Sequence, residues 1–367
     1  MAKVLARPFE PTSLPEDKKS QPVRYFAAVG VVAVVLQAYV LTEWLVHGPT
    51  RTPNGPTPVP HSLDVSVVIV QGLCVGGLAA FFYFAVVRPL RRDHRLHWDG
   101  YLFFGFCLMA WGDPGGNMFR VWFTYPTNFV QFGSWLNYMP FVRLPHAGRF
   151  PEPLVSTYTG YVWYNFIGVL LGCKVMQKSR DRWGLGRSGQ LWCGFLFLVC
   201  LDLIMEEICL RLNWYQYHET IGPVLDRGKP YMLPVIEGFL WGGLMFAVAV
   251  VRYIRDDKGQ SLVERGLDQL QISTRRKNWV RLLALAGFVN ICILGYALAG
   301  SFVALAGTPY WPQAQKSYLD DGFCGPGTDT ACPSNNVPVP LNSHSIYIDP
   351  SGRPVYPPGN TFGAPGK

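Results

Sequence analysis

Several carboxyl side chains stand where the surrounding apolar sequence should exclude them. Asp202, Glu206, Glu207 and Arg211 fall at the outer end of an apolar run from Leu191 to Leu212, and Glu237 lies near the start of another, Met232–Val251. An ionisable group at the centre of a membrane helix costs about 2.5–3.5 kcal/mol on insertion scales, so such residues are functional candidates by default. Asp202 and Glu206 are four residues apart and share one helix face. No basic residue lies within one turn of Asp202, and Glu237 likewise has no basic neighbour on its helix. Carboxyls of this kind are either kept protonated by desolvation or paired between helices. A protonated carboxyl in an apolar cavity is a general acid, and a second carboxyl nearby can remove a proton. Asp202, Glu206 and Glu237 are therefore the candidate catalytic residues. Glu207 and Arg211, also four apart, have two readings: a local ion pair, or polar groups for a bound substrate.

A second polar group follows the apolar start at Tyr101. It comprises Asp113, within Asp-Pro-Gly-Gly-Asn, and then Asn117, Arg120 and Asn137, set among Trp122, Phe123, Tyr125, Phe129, Phe132, Trp135 and Tyr138. Trp214, Tyr215 and Tyr217 follow the Asp202 segment in the same manner. These aromatic residues fit an interfacial belt and equally fit the wall of an apolar pocket. On the second reading Asp113, Asn117, Arg120, Asn137, Glu207, Arg211 and Trp214 are candidate substrate-binding residues. No metal is expected. A carboxylate-bridged site on facing helices needs Glu-x-x-His spacing, whereas His146 and His218 fall outside the apolar runs and His94, His97 and Asp99 fit a solvated face. There is no dinucleotide fingerprint, P-loop or nucleophile elbow in context, so no cofactor is expected either.

The elements that must position these groups are membrane helices. The chain has 367 residues, only 15% of them charged, against about 25% in soluble domains. Its polar ends, 1–24 and 307–367, dilute a mean hydropathy of +0.15. A span needs about 20 mostly apolar residues. Six runs qualify: Tyr25–Val46, Ser66–Val87, Leu154–Met176, Leu191–Leu212, Met232–Val251 and Trp279–Ala306. A seventh starts at Tyr101 and breaks at the Pro-Gly-Gly; Met118–Met139 then reads as re-entrant or interfacial, since irregular backbone at membrane depth needs protein or a wet cavity to satisfy it. The expectation is an all-α, polytopic bundle of about seven spans with a broken third span. It comprises a cytoplasmic segment 1–24, a transmembrane domain 25–306 and an irregular extracytoplasmic tail 307–367.

With the N-terminus inside, about twice as many Lys and Arg fall on the cytoplasmic side as outside, as the positive-inside rule requires. A net charge of +8 is accounted for by these clusters. No basic stripe or module for nucleic acid is present, so no nucleic-acid partner is expected. The N-terminus lacks a signal-peptide cleavage pattern, and the cell membrane is the expected location. In the tail, Cys324 and Cys332 read as an extracytoplasmic disulfide or as two free thiols. By a rise of 1.5 Å per residue, Asp202 lies roughly 16 Å and Glu206 roughly 22 Å from the cytoplasmic entry, with Glu237 roughly 8 Å below the outer surface. All belong to the outer half of the bilayer, which a lipid-soluble substrate would reach sideways.

The segments 113–140 (DPGGNMFRVWFTYPTNFVQFGSWLNYMP), 202–217 (DLIMEEICLRLNWYQY) and 234–238 (PVIEG) resemble the AveC-like spirocyclase family of bacterial membrane proteins, named for the enzyme that forms the avermectin spiroketal. The likeness covers roughly residues 25–305. It implies acid-assisted closure of a dihydroxy-ketone to a spiroketal, with dehydration of the product in some members; it transfers no catalytic residue. The expected activity is thus an intramembrane cyclase or lyase acting on a lipophilic polyketide-, lipid- or terpenoid-like substrate. The alternative is a non-enzymatic membrane subunit or a transporter whose carboxyls relay protons or bind a solute. A transporter should show an internal repeat of spans, and none is evident. The partners expected are the lipophilic substrate and the bilayer; the oligomeric state is left open.

Overall fold

In the computed structural model the described residues are 21–54, 57–144, 147–227, 229–309, 316–320, 347–348 and 354–355. Cys324 and Cys332 lie outside them, as does most of the tail. The fold is mostly helical. Seven long elements run in chain order: α1 (Pro22–Val46), α2 (His61–Phe82, continued through a π-type turn to Asp93), α3 (Trp98–Cys107), α4 (Tyr161–Trp183, entered through a π-type turn at Ser156–Gly160), α5 (Arg187–Arg211), α6 (Val235–Tyr253) and α7 (Thr274–Ala306). Four of these, α1, α2, α6 and α7, are long and apolar enough to cross a membrane. Polar residues within α4 and α5 and the shortness of α3 keep those helices below the same standard. The exposed side chains of Val32, Val35, Val68, Ile69 and Leu73 on α1 and α2 form an apolar surface too extensive for a soluble monomer, which marks a membrane protein.

Close helix contacts depend on small residues, as expected where lipid removes most of the hydrophobic incentive to associate. α1 crosses α7 at Gly30 and Gly287. A Cβ on Gly30 would meet the Leu283 carbonyl oxygen at 1.9 Å, and one on Gly287 would meet that of Phe26 at 2.1 Å. α6 approaches α5 through Gly238 and Gly242, and α4 contributes Gly168 and Gly172 opposite Met245 and Leu198. The core thus formed between α3, α4, α5, α6 and α7 includes Phe106, Phe166, Leu198, Met245 and Ile293, all fully buried.

The third helix ends at Cys107, before the Pro-Gly-Gly rather than at it, and Ala110–Asn117 continues as 3-10 turns packed on α7. This buried irregular backbone is satisfied by neighbouring side chains. Asn290 Nδ2 donates to the Leu108 carbonyl at 3.0 Å, and Ser301 Oγ donates to that of Gly115 at 2.7 Å. Trp135 Nε1 donates to the Trp111 carbonyl at 2.6 Å. Residues 118–153 carry little regular structure. They fold over one end of the bundle around the buried Trp111, Trp135 and Leu136, and two-residue strands tie them to the loop after α5: β1 (Phe123–Thr124) pairs with β2 (Gln216–Tyr217). Beside it, β3 (Glu219–Thr220) pairs with Thr308–Pro309 just past α7.

The opposite end of the bundle is bound by charge. Arg252 makes a two-pronged ion pair with Asp99, both contacts at 2.9 Å, and Glu264 takes Arg255 at 3.0 Å and Arg281 at 2.8 Å.

Candidate active site

The packing of α5 on α6 brings their carboxyls together. Asp202 and Glu206, one turn apart, face α6 because that side of α5 packs against the Gly238–Gly242 strip. Glu237 follows the helix-starting Pro234 and sits in the first turn of α6. One oxygen from each of the three carboxyls lies within 4.8 Å of the others. Asp202 and Glu237 are fully buried, and Glu206 is partly so.

Each carboxyl receives a tyrosine hydroxyl. Tyr164 of α4 donates to Asp202 Oδ1 at 2.9 Å, Tyr217 of β2 to Glu206 Oε2 at 3.0 Å, and Tyr296 of α7 to Glu237 Oε1 at 2.8 Å. The second oxygens of Asp202 and Glu237, Oδ2 and Oε2, have no hydrogen-bond partner. A buried carboxyl oxygen without a donor is costly unless it is protonated or met by a ligand.

Glu206, Glu237 and the three tyrosines border a cavity of about 290 Å³, near the lower end of the range typical for small-molecule sites, about 300–1,000 Å³; Asp202 lies behind Tyr164 and outside its lining. Its walls are mainly apolar and aromatic, with Leu73 and Cys74 from α2, Met205 and Cys209 from α5, and Phe123 and Trp241 among the contributors. Trp241 lies edge-on to Tyr296, ring centroids 4.7 Å apart, and equally close to Tyr161, so the tyrosines around the acids are fixed in orientation. Glu206 and Glu237 line this cavity, and Asp113 does so from the 3-10 segment. Asp113 accepts from Tyr125 Oη at 3.0 Å and from Tyr161 Oη.

The remaining sequence-derived candidates divide by position. Trp214 lines the cavity and donates through Nε1 to Ser66 Oγ of α2 at 3.2 Å. Asn117 is adjacent but engaged with backbone: its Oδ1 accepts from the amides of Trp122 and Phe123, and its Nδ2 donates to the Phe123 carbonyl. Arg120 pairs with Glu219 at 2.9 Å away from the cavity. Burial pushes the Glu219 carboxyl up to about 8, the Arg120 charge offsetting only part of the effect, and burial holds the neighbouring His218 down to about 3. Asn137 accepts the Gly148 amide at 2.8 Å beside a separate polar pocket among the loops. Glu207 and Arg211 form the local pair, at 2.5 Å, and Arg211 also reaches Asp226 at 2.6 Å.

Sequence reasoning passed over Glu152, which lies beside Asp113, and it passed over the tyrosines as donors to the acids. Tyr161 and Tyr164, three residues apart within α4, and Tyr296 deep in α7 carried the signal: hydroxyls inside apolar runs whose helical spacing aims them at one interior face. Glu152, between Pro151 and Pro153 in a loop, carried almost none.

Chemically, three clustered carboxyls with tyrosine donors, two of them lining an apolar cavity, can give and accept protons. The same three are the cluster among the described residues with the spacing to hold a hard cation. No curated protein and no solved structure matches the chain. Residues 93–316, which contain every one of these groups, match the family described as spirocyclase AveC-like. That stretch is well over half of the sequence, and the chain belongs to the AveC-like spirocyclase family.

Proposed function

We propose that this protein is an integral membrane cyclase that closes rings on a lipophilic, hydroxylated ketone of polyketide-, lipid- or terpenoid-like character, with Asp202, Glu206 and Glu237 as its acid and base. The observation that carries this reading is the placement of Glu206 and Glu237 at an apolar cavity with Asp202 clustered beside them, Glu237 Oε2 and Asp202 Oδ2 having no hydrogen-bond partner. In the reaction a carboxylic acid protonates the ketone oxygen while a substrate hydroxyl adds to the carbonyl carbon and yields its proton to a carboxylate. The hemiketal hydroxyl is then protonated and leaves as water, and a second hydroxyl adds to the same carbon, releasing its proton to a carboxylate. One water is lost and the enzyme regains its protons. Apolar walls favour the neutral acid and exclude the bulk water that would reopen the rings.

The bundle crosses the bilayer seven times in this proposal, with α3 and its 3-10 continuation as the broken span. Exposed Trp192, Leu196, Ile204 and Ile208 on α5 support counting that helix as a span despite its acids. The N-terminus is cytoplasmic and the tail extracytoplasmic, since the arginine-rich end at 252–281 belongs inside by the positive-inside rule. The acids sit toward the outer leaflet of the cell membrane, and substrate enters from the lipid.

The test is turnover of a dihydroxy-ketone precursor in lipid nanodiscs, followed by mass spectrometry and chiral separation. Wild type should cyclise stereoselectively, and folded Asp202→Asn, Glu206→Gln and Glu237→Gln should be impaired. Wild type matching the uncatalysed rate refutes the cyclase reading for this substrate class. Full activity in all three variants refutes the site.

A further inference from the structure

Asp113 occupies the cavity wall formed by the 3-10 segment, apart from the carboxyl trio, and the acid-base roles assigned above leave it without a task. Its surroundings are those of a working acid. Oδ1 accepts from Tyr161 and Oδ2 from Tyr125 at 3.0 Å. The Glu152 carboxyl lies beside that of Asp113, and its Oε1 accepts from Thr157 Oγ1 at 2.9 Å. Both carboxyls are buried, Asp113 at 0% and Glu152 at 2% exposure.

Two ionised carboxylates hold no donor between them, so neighbouring buried carboxyls can join only through one shared proton. Among the described residues the groups facing the pair are Tyr125, Tyr161, Thr157 and Tyr158, and Tyr296, Glu206 and Glu237 line the same cavity. None of these is basic. Burial, and then the charge of Asp113, push the Glu152 carboxyl well above its ordinary value. Like charges this close do not both ionise, which is how paired carboxyls elsewhere keep one proton at neutral pH.

We propose that Asp113 is a second catalytic acid-base group, with Glu152 as the positioning residue that stores its proton, lining the same cavity as Glu206 and Glu237. This rests on the cyclase reading. In the first closure the Asp113–Glu152 proton passes to the ketone oxygen as the carbonyl π bond breaks. The attacking hydroxyl forms the new C–O bond and its proton goes to the trio. In the second closure the roles reverse: the trio returns its proton to the hemiketal hydroxyl, which leaves as water, and the second hydroxyl gives its proton to Asp113. Each wall ends as it began, so two acid centres match two ring closures. Tyr125 and Tyr161 steady the charge on Asp113 while its proton is away.

Infrared difference spectroscopy on the full-length protein in nanodiscs reads the shared proton without turnover. Wild type minus Glu152→Gln, at a pH above the ordinary carboxyl range, should contain a carboxylic-acid C=O band that shifts in D₂O. Turnover of the dihydroxy-ketone should fall by about 100-fold or more in Asp113→Asn, the usual scale for removing a general acid. Glu152→Gln should lower kcat, leave KM nearly unchanged and remove one limb of the pH profile, and Glu152→Asp should restore part of both. If Asp113→Asn fails to fold, Glu152→Gln and Thr157→Val test the same proton. An active wild type whose Glu152→Gln variant keeps the band and the pH profile overturns the dyad alone. An inactive wild type overturns the dyad's catalytic role together with the cyclase reading.

Discussion

Glu237→Gln with Tyr296→Phe offers the sharpest test of how the trio works. The amide replacing the carboxyl keeps an oxygen to accept from Tyr296 Oη, which donates at 2.8 Å in the wild type, and the volume hardly changes. What is lost is the proton. General acid-base groups contribute about 10²–10⁴-fold, or about 3–5 kcal/mol at 1.36 kcal/mol per tenfold. Tyr296→Phe removes one donor to a group that carries charge during the reaction, worth about 1.5–3 kcal/mol and hence roughly 10- to 150-fold in turnover. Tyr296 lines the cavity as well, so two roles are open to it: tuning Glu237 or contacting substrate directly. Coupled residues are non-additive. If Tyr296 acts through Glu237, the double variant should be no slower than Glu237→Gln alone. The assay is single-turnover cyclisation in nanodiscs, with thermal unfolding to confirm that each variant is folded. Multiplicative losses would refute a role for Tyr296 through Glu237, and wild-type turnover in Glu237→Gln would remove Glu237 from the chemistry.

Four further outcomes follow from the same geometry. Asp99→Ala should remove the carboxylate that pairs with buried Arg252, costing about 3–5 kcal/mol and lowering Tm, while folded molecules keep wild-type kcat because the pair lies at the end remote from the cavity. Gly287→Leu should loosen α1 from α7, since even a Cβ there would stand 2.1 Å from a carbonyl oxygen; Gly295→Ala on the same helix, with nothing within 4 Å, is the control and should match wild type in Tm. Stability should peak between about pH 4.5 and 6.5, the ordinary values of Glu and His. His218, held down to about 3 when folded, is charged only in the unfolded chain as pH falls below 6.5, which favours unfolding; Glu219, pushed up to about 8, ionises only in the unfolded chain as pH rises above 4.5, with the same effect up to pH 8. His218→Gln should flatten the acid side of a Tm-against-pH curve and Glu219→Gln the alkaline side; unchanged limbs would refute those assignments. Finally, a chelator should leave turnover unaltered, because tyrosine hydroxyls donate to all three carboxyls; a loss restored by a divalent ion would reassign the trio to a cation.

Much of the site was legible in the sequence because a membrane makes charge conspicuous. Asp202, Glu206 and Glu237 stood out against apolar runs by cost alone, and a four-residue spacing was enough to put two of them on one face. Topology was less legible. α4 and α5 are interrupted by polar and charged side chains, and such interruptions in a sequence look the same whether they face a cavity or water; α5 carries its acids on one face and exposed Trp192, Ile204 and Ile208 on another. The aromatic segment after Asp113 defeated a single assignment for a different reason. Belt, core and pocket wall all use Trp, Tyr and Phe, and here Trp122 and Trp135 are fully buried, Phe123 and Tyr125 line the cavity, and Phe132 is 46% exposed.

Glu152 marks where sequence reasoning gives out. A carboxyl between two prolines in a loop looks solvated, and only the tertiary fold of residues 118–153 over the bundle end carries it to Asp113. The same applies to Asn117 and Arg120, whose residue types suit a ligand but whose partners are the Phe123 backbone and Glu219. Within a helix, spacing constrains which side chains can meet, so a functional pair there can be read from the sequence. In irregular chain no such periodicity exists, and a polar residue's partner is set by long-range packing. The second acid of this site therefore had to come from structure, and the Asp113–Glu152 proton is the feature whose loss would most directly separate a two-centre cyclase from one that works from α5 and α6 alone.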